Sequence, residues 1–335
     1  MAPPAACAHG KSPVMSHNTA AADRPSKLLA YIRLMRLPNV FTALADVLMG
    51  YLFTHDPKTA QSVAAGTISL LIASGLMYTA GMVLNDVFDV EVDRVERSER
   101  PLPSGLIPVG WARLLGFEML FFGAVAGASI SVWSHDMRPA AVSAGLAVLI
   151  VLYDGLLKKT PLGPLAMGGC RFLNVLLGMS AAPQPWLPVH YIVAAGIGVY
   201  IVGVSLFARG EAEPKSRRGL LVLAMIVMLA GMGLLAFFPE RLPQDPAFEP
   251  HQFRLDQSAW HMAWIVLAIL TCWRCLRCVV QPFSEFVQDA VRQCLMSLII
   301  FDAAVVVAVR DIAWGIAVLL LLVPMTVLGR WSYST

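Results

Sequence analysis

Most of the chain alternates between long apolar stretches and short polar segments. Each apolar stretch has roughly 20 residues, the length that an α-helix needs to cross a lipid bilayer. The pattern predicts ten spans, at roughly 37–54, 63–85, 109–133, 139–157, 163–183, 188–208, 219–238, 259–279, 290–309 and 311–330. Only "VRDI" separates the last two, which therefore form either a tight hairpin or one long broken helix.

The composition favours a membrane protein over a soluble globule. Of the 335 residues, 57% are hydrophobic and 14% are charged, whereas about a quarter of a soluble domain is charged. We therefore expect an all-α integral membrane protein, a bundle of nine or ten transmembrane helices in contact with membrane lipid. The net charge of +3 does not indicate a nucleic-acid partner.

Residues 1–28 differ from the rest of the chain. They are rich in Ala, Pro, Ser and His and lack the apolar run of a signal peptide. The sequence predicts a disordered cytoplasmic tail here, followed by one transmembrane domain over residues 29–335.

The distribution of positive charge predicts the orientation of the helices. Loops on the side of the N-terminal tail carry most of the Lys and Arg residues. The opposite side has only Lys58, Arg138, Arg241, Arg254 and Arg310. Cytoplasmic loops are enriched in these residue types, so we expect a cytoplasmic N-terminus in a multi-pass protein of a bacterial inner or cell membrane.

An acidic stretch, "NDVFDVEVDRVERSERPLPSG" at 85–105, directly continues the second apolar segment. Asp86, Asp89 and Asp93 are spaced i, i+3 and i+7, so a helix places them on one face. Three such carboxylates repel each other unless a cation neutralises them, and oxygen ligands suit Mg²⁺ shared with a phosphate. The alternative is a solvated helix end whose acids pair with Arg94 and Arg97. The uninterrupted apolar helix and the following Pro/Gly loop favour the metal site, on the cytoplasmic side.

The arrangement Asn85-Asp86-x-x-Asp89-x-x-x-Asp93, followed by "RPLPSG" at 100–105, resembles the first signature of the UbiA superfamily of intramembrane prenyltransferases. The general layout is similar over most of the chain after the tail. The resemblance implies a helical bundle around a central cavity. A prenyl diphosphate would lie there with its tail toward the lipid, and Mg²⁺ on the Asp motif would bind its diphosphate.

The resemblance also implies roles for single residues. Asn39, in "RLMRLPNVFTALADVLMGYL", would face the cavity, and Tyr153 and Lys158, in "LYDGLLKKTPLG", would contact the diphosphate. Asn85 would orient the Asp cluster, and Arg100, Lys158 and Arg209 would stabilise the leaving group. The expected catalytic residues are therefore Asp86, Asp89, Asp93, Lys158 and Arg209, with the three aspartates as metal ligands.

The second Asp-rich signature of the superfamily has no counterpart here. Its expected place reads "SLFARGEAEPKSRRGLL", in which Glu211 and Glu213 are the only acids and Pro214 disfavours a continuous helix. Arg209 and Glu211 lie closest to the span and are the preferred residues for substrate binding. The string Phe207–Ala212 resembles the EboC-like branch of the superfamily.

Polar residues inside the spans indicate a cavity, because charges in a bilayer are costly. Arg171 and Asn174, in "GGCRFLNVLLG", lie at i and i+3 and are expected to line the cavity and bind diphosphate or acceptor. Alternatively, Arg171 extends to the membrane interface. Asp46 and Asp302 are further interior acids, which could pair with a base such as Arg171 and are not expected to be catalytic.

Three cysteines, Cys272, Cys275 and Cys278, follow each other at a spacing of three in "TCWRCLRCVV". The spacing is compatible with a metal site and with helix packing. No further Cys or His lies close in the sequence, which favours packing.

The functional prediction is an Mg²⁺-dependent enzyme that moves a prenyl group from a prenyl diphosphate to an electron-rich acceptor, lipophilic and typically aromatic. The missing second Asp motif keeps open a non-catalytic transporter or lipid-binding scaffold with the same fold. An intramembrane aspartyl protease is disfavoured, because Asp154 in "LYDG" has no partner aspartate in a G-x-G-D context.

Overall fold

The computed structural model describes residues 26–55, 63–182, 184–209, 217–242, 253–281 and 283–333. Throughout these ranges the regular structure is helical, as predicted, with no strand. The α-helices in chain order are α1 (Lys27–Leu34), α2 (Leu37–Thr54), α3 (Val63–Glu96), α4 (Val109–Ser134), α5 (Arg138–Gly155), α6 (Gly163–Met179), α7 (Pro188–Arg209), α8 (Arg217–Phe237), α9 (Gln257–Val280), α10 (Ser284–Val309), α11 (Ile312–Leu319) and α12 (Leu322–Tyr333). Short 3-10 turns lie at Leu157–Lys159 and Phe238–Arg241.

The predicted membrane spans correspond to these helices. Within the described ranges, nine helical segments are long and apolar enough to cross a membrane, and α11 together with α12 forms one of them. The remaining predicted span is α6, whose 17 residues extend over about 26 Å and pack between α2 and α7. The chain is a multi-pass integral membrane protein.

The last two predicted spans form the tight hairpin. The chain turns at Arg310, whose backbone is extended, and α11 packs back against α10. The two helices are in close contact, since a Cβ on Gly315 would overlap the side chain of Val307. The helical break lies further on, at Leu320–Leu321 between α11 and α12.

Helix α3 is longer than the apolar pattern predicts. The predicted span ends at residue 85, whereas the helix continues to Glu96. The extension carries the whole Asp motif within one helix, so its three aspartates share a face.

Glycines bring α2 and α6 into backbone contact. A Cβ at Gly50 would lie 2.5 Å from the carbonyl oxygen of Val175, and a Cβ at Gly178 would overlap the carbonyl oxygen of Val47. Small residues permit this close approach between membrane helices. The contact fixes the polar side chains that face each other on the neighbouring turns of α2 and α6.

Large apolar side chains cover the outside of the bundle, for example Phe121 and Phe122 on α4 and Ile269 and Trp273 on α9. A water-soluble protein rarely exposes a continuous apolar surface of this kind. The periphery is therefore suited to contact with lipid.

Two polar side chains, the buried Arg310 and the partly buried His55, close the end of the bundle opposite the Asp motif. The Nε of Arg310 donates to the carbonyl oxygens of Leu52 (2.7 Å) and His55 (3.1 Å), at the C-terminus of α2, where the helix dipole favours a cation. His55 stacks on Tyr51 with ring centroids 4.4 Å apart, and its Nε2 lies 3.1 Å from the carbonyl oxygen of Ala181. Burial lowers the pKa of His55, and the Arg310 cation lowers it further.

Candidate active site

The Asp motif forms a carboxylate cluster at the end of α3. Asp86 and Asp93 are each only 5% exposed, and Asp89 between them is partly exposed. Their cationic partners come from the residue before α2, the loop after α3 and the turn after α5. The motif is therefore the point at which three otherwise separate segments meet.

Two arginines neutralise the buried carboxylates of the motif. The Nη2 of Arg36 lies 3.2 Å from Oδ1 of Asp86. The Nη1 of Arg100 lies 2.7 Å from Oδ2 of Asp93 and 3.6 Å from Oδ1 of Asp86. Arg100 begins the "RPLPSG" turn, which ends at Gly105 with a φ of 74°, a conformation that favours glycine. The turn follows α3 closely enough for Arg100 to bridge two carboxylates of the helix.

Lys158 neutralises the third carboxylate. Its Nζ lies 2.8 Å from Oδ2 of Asp89 and donates to the backbone and side-chain oxygens of Asn85, at 3.2 Å each. Lys159 lies 3.8 Å from the other carboxylate oxygen of Asp89. The side chain of Asn85 also reaches Asp86, so Asn85 lies between the lysine and the buried carboxylate.

Arg209 supports the turn that carries Lys158. Its Nη2 donates to the carbonyl oxygen of Lys158 at 2.6 Å, and its guanidinium occupies the space beside Gly163, where a Cβ would overlap it. Within the described residues this carbonyl, rather than a carboxylate of the Asp motif, is the hydrogen-bond partner of Arg209. The end of α7 therefore braces the Lys158 turn against the start of α6.

Arg94 lies apart from the carboxylate cluster. It pairs with Glu91 at 2.8 Å, and both side chains are more than half exposed. Of the acidic stretch, Arg94 therefore pairs with Glu91 and with none of the three aspartates of the motif among the described residues. The acids of the motif are instead paired with cations that are distant in sequence or follow the helix.

The donor chemistry of the cluster fits a magnesium ion that is shared with a phosphate. Mg²⁺ prefers oxygen ligands and commonly takes one or two carboxylates together with substrate phosphates. Among the residues that the structure describes, no three potential ligands converge on one point. An ion at this motif would therefore be held by one or two of the three aspartates, with its remaining ligands supplied by a bound phosphate and water.

A largely apolar cavity lies between α2, α3, α5 and α6. Its polar wall includes Tyr153 and Asp154 near the Asp-motif end, and Arg171 and Asn174 deeper in the bundle. The apolar lining includes Ala43, Met77, Met82, Leu146, Ile150 and Met167. The structure thus brings Tyr153, Arg171 and Asn174 to one cavity wall.

Asn39 lies elsewhere. It lines a separate groove together with Arg292 and Arg330, because the first turn of α2 faces α10 and α12 at this position. The expectation that Asn39 faces the substrate cavity is not met in this structure.

Arg171 is buried inside the bundle and does not extend to the membrane interface. Its Nη1 lies 2.7 Å from Oδ2 of Asp46, and its Nη2 donates to Oγ1 of Thr42 at 2.7 Å. Asn174 donates to the same oxygen of Asp46 at 3.3 Å and to the carbonyl oxygen of Ala43 at 2.9 Å. The network joins α6 to α2, and the expected partnership of Arg171 with Asp46 is confirmed.

A second carboxyl group, Asp302 on α10, lies against Asp46. Oδ1 of Asp46 and both oxygens of Asp302 have no hydrogen-bond donor among the described residues. Two ionised carboxylates cannot donate to each other, whereas a proton on one of them supplies a donor. One shared proton also balances the charge of Arg171, and a neutral cluster is favoured in the membrane interior.

Two residues at this site were missing from the sequence-based prediction. Arg36 adopts a φ of 46°, which is strained for a residue with a side chain. In the sequence, the signal for a special role of Arg36 was its position directly before "LPN". Asp154 is 2% exposed and lies on the cavity wall, and its adjacency to Tyr153 was the available signal.

Part of the segment that stands in place of the second signature lies outside the described residues. This applies to Glu211 and Glu213, and to residues 210–212 of the string that resembles the EboC-like branch. The binding role of Glu211 and the assignment to that branch stay predictions. The predicted tail over residues 1–28 is likewise described only from residue 26 onward.

The clustered cysteines pack helices together. Cys275 and Cys278 are buried, and the sulfur of Cys275 lies 3.8 Å from that of Cys294 on α10. The packing interpretation therefore holds for the contact between α9 and α10.

Comparison with known proteins gives the same family from sequence. The UbiA prenyltransferase family matches residues 39–226, more than half of the chain. The chain is 31% identical over 210 residues to a digeranylgeranylglyceryl phosphate synthase of Methanoculleus marisnigri, covering 62% of this chain and 72% of the relative. A synthase of the same name from Ignicoccus hospitalis is 32% identical over 165 residues, covering 49% of this chain and 50% of the relative. The chain thus spans only half the length of the second relative.

The fold is similar to that of a solved UbiA homolog from Archaeoglobus fulgidus bound to DMAPP and Mg²⁺. The TM-score is 0.60 at 15% sequence identity, covering 86% of this chain and 98% of that structure. This likeness concerns the fold, and the match over residues 39–226 adds the sequence relationship. The chain belongs to the UbiA prenyltransferase family.

Proposed function

We propose that the protein transfers a prenyl group from a prenyl diphosphate to the hydroxyl group of a glyceryl phosphate lipid. The observation that carries this proposal is the cluster of Asp86, Asp89 and Asp93, with its cations, beside an apolar cavity. A prenyl diphosphate combines the two matching properties, an anionic head and a hydrocarbon chain. The family match supports the same class of reaction.

The diphosphate would bind at the Asp motif. Arg36, Arg100 and Lys158 donate to carboxylates in this structure, and the same groups form strong charge-assisted bonds to phosphate oxygens. Bound Mg²⁺ would neutralise the diphosphate as it leaves the allylic carbon. The Mg²⁺ in the A. fulgidus homolog supports this dependence. Arg209 would act by keeping Lys158 in place.

The prenyl chain would follow the apolar cavity. Met77, Leu146 and Ile150 line its wall, and their burial keeps water away from the allylic carbon. Exclusion of water matters because water would otherwise capture the cationic carbon. Arg171 and Asn174 lie at the inner part of this wall and would limit how far the chain extends.

The relatives favour a glyceryl phosphate acceptor over the aromatic acceptor expected from the sequence. Digeranylgeranylglyceryl phosphate carries two geranylgeranyl groups, so its synthase adds the second group to a lipid that already carries the first. The new bond is an ether between a lipid hydroxyl and the allylic carbon. We propose geranylgeranyl diphosphate as the donor for the same reason.

The Asp-motif end of the bundle would face the cytoplasm, because the loops on that side carry most of the Lys and Arg residues. A cysteine introduced at exposed Glu99 in a cysteine-free background tests this orientation. We expect an impermeant maleimide to label Glu99→Cys in inverted vesicles and not in right-side-out vesicles, and the opposite pattern would reverse the topology.

The decisive experiment measures transfer by purified protein in nanodiscs. The donor is radiolabelled geranylgeranyl diphosphate, and the acceptors are geranylgeranylglyceryl phosphate and 4-hydroxybenzoate, each with Mg²⁺ and with EDTA. We expect Mg²⁺-dependent product with the lipid acceptor alone. Asp89→Asn should lower the rate about 100-fold or more, because it removes a carboxylate that would hold the Mg²⁺ facing the leaving group.

The matched control is Glu91→Gln on the same helix. Glu91 is exposed, and among the described residues its ion pair is with Arg94. The transfer rate of Glu91→Gln should therefore differ from that of the wild type by less than about twofold. Product with 4-hydroxybenzoate but not with the lipid would refute the acceptor proposed here. Binding of the diphosphate without transfer to either acceptor would support the non-catalytic scaffold instead.

A further inference from the structure

Asp154 has an unusual position at the Asp-motif end of the cavity. It belongs to the last turn of α5, is 2% exposed and forms part of the cavity wall. Its Oδ2 is buried and has no hydrogen-bond partner among the described residues. A buried polar atom without a partner is costly, so a position of this kind needs an explanation.

The neighbouring carboxylates show the contrast. Asp86, Asp89 and Asp93 each have a cationic side chain within 3.2 Å. Lys158 follows Asp154 by four residues, yet its Nζ is directed to Asp89 and Asn85. Among the described residues, Asp154 is therefore a carboxyl group at this end of the cavity with no ion pair.

Other charged and titratable groups surround Asp154 without bonding to it. Lys158 and Arg36 act on it as cations, Asp86 and Asp89 act on it as anions, and Cys170 on α6 lies beside it. An ion-paired carboxylate is a weaker proton acceptor than a free one. Asp154 is thus better suited to accept a proton than the three aspartates of the motif.

We propose that Asp154 is the general base that removes the proton from the acceptor hydroxyl. This inference rests on the proposed function, since it requires an alcohol acceptor. The hydroxyl oxygen forms a bond to the allylic carbon, and the bond from that carbon to the diphosphate oxygen breaks, with the electron pair leaving on diphosphate. The hydroxyl proton passes to Oδ2 of Asp154. No other reactant is needed.

The location of Asp154 fits this step. The residue lies on the same cavity wall as Tyr153. Four residues later in the chain, Lys158 forms the ion pair with Asp89 of the Asp motif. A hydroxyl that enters the cavity beside the diphosphate therefore meets an unpaired carboxylate. Asp46, deeper in the bundle, binds Arg171 and Asn174 through Oδ2 instead.

The test compares Asp154→Asn and Asp154→Glu with the wild type in the nanodisc assay. Removal of a general base costs about 10²–10⁴-fold in rate, so we expect kcat to fall by that range in Asp154→Asn with little change in KM for the diphosphate. Asp154→Glu keeps the carboxyl group and should recover part of the rate. Mg²⁺-dependent binding of geranylgeranyl diphosphate should be equal in all three proteins, which shows that the site is folded.

The pH dependence provides a readout that a structural role would not change. Wild-type kcat should fall toward acid pH as the base becomes protonated, and the residual rate of Asp154→Asn should lack this acid limb. If Asp154→Asn keeps kcat within about threefold of wild type, a change below the range of general-base catalysis, the inference is wrong and the proposed function stands. If the wild type transfers nothing to the alcohol acceptor, the proposed function fails first. Loss of diphosphate binding in Asp154→Asn would assign the residue to substrate binding and overturn its role as base.

Discussion

The buried cluster of Asp46, Arg171 and Asp302 leads to a prediction about charge balance. Three ionisable groups with one shared proton are neutral overall, so either carboxyl group can serve as the counter-ion of Arg171. Asp302→Asn leaves the 2.7 Å pair between Arg171 and Asp46 intact and should cost about 1 kcal/mol in free energy of unfolding. Asp46→Asn removes that pair, but Asp302 then gives up its proton and replaces the lost charge, at a cost of about 1–2 kcal/mol.

The double variant Asp46→Asn/Asp302→Asn should behave differently. Arg171 cannot lose its proton under these conditions, and its side chain is only 7% exposed. Removing one partner of a buried ion pair costs about 3–5 kcal/mol because the other charge stays buried and uncompensated. The double variant should therefore lose about 1.5 kcal/mol more than the sum of the two single variants, a coupling typical of residues in one network.

The measurement is reversible unfolding in mixed micelles, followed by tryptophan fluorescence and far-UV circular dichroism. The matched control is the triple variant that adds Arg171→Met, which removes the charge and keeps an apolar side chain of similar length. We expect the triple variant to regain most of the stability lost by the double variant. Additive single and double effects, or a triple variant no more stable than the double one, would contradict the shared-proton interpretation.

Three further predictions concern other parts of the fold. Gly178→Ala should lower the free energy of unfolding by about 1–3 kcal/mol, because the new Cβ meets the backbone of α2. Gly233→Ala is the control: its Cβ meets no atom within 4 Å, and it should raise the free energy of unfolding by up to about 1 kcal/mol. Thermal unfolding of both variants provides the check. Burial lowers the pKa of His55 in the folded protein below the value of about 6.5 that it has in the unfolded chain. The free energy of unfolding should therefore fall as the pH drops from about 6.5 through the lower folded pKa. Measured against pH, the free energy of unfolding of His55→Asn should lack this contribution. Arg209→Ala should weaken geranylgeranyl diphosphate binding about 10-fold, the value of one hydrogen bond to a charged group, because the turn after α5 loses its bond to Arg209. Unchanged affinity in equilibrium binding would contradict this.

The helices and the Asp motif were predictable because both depend on local spacing. Asp86, Asp89 and Asp93 share a face whatever the helix packs against, since the relationship i, i+3, i+7 lies within one element. The end of α3 was harder to predict, because charged residues continue the helix beyond the apolar segment. Apolar length marks the part of a helix that crosses the membrane and does not mark where the helix ends.

The partners of these residues were not predictable from spacing. Arg36 precedes Asp86 by 50 positions, and nothing in the local sequence of either residue indicates the contact. The error at Asn39 has the same origin, since its orientation depends on which helices pack against the start of α2. Arg171 was a stronger prediction, because a buried arginine in a bilayer requires an acidic partner and few interior acids exist.

The cations around the Asp motif bear on the missing second motif. Within the described residues, the three carboxylates of the motif and Asp154 lie among five cations, Arg36, Arg100, Lys158, Lys159 and Arg209, so this end of the cavity is positive by one unit before a metal binds. A diphosphate can therefore be attracted without a second set of acids and their metal. We expect EDTA to abolish transfer yet only weaken diphosphate binding, whereas Arg100→Gln should weaken the binding that persists in EDTA. Equilibrium binding in EDTA decides the point, because complete loss in the wild type would mean that these cations remain engaged with the carboxylates and that the metal alone recruits the substrate.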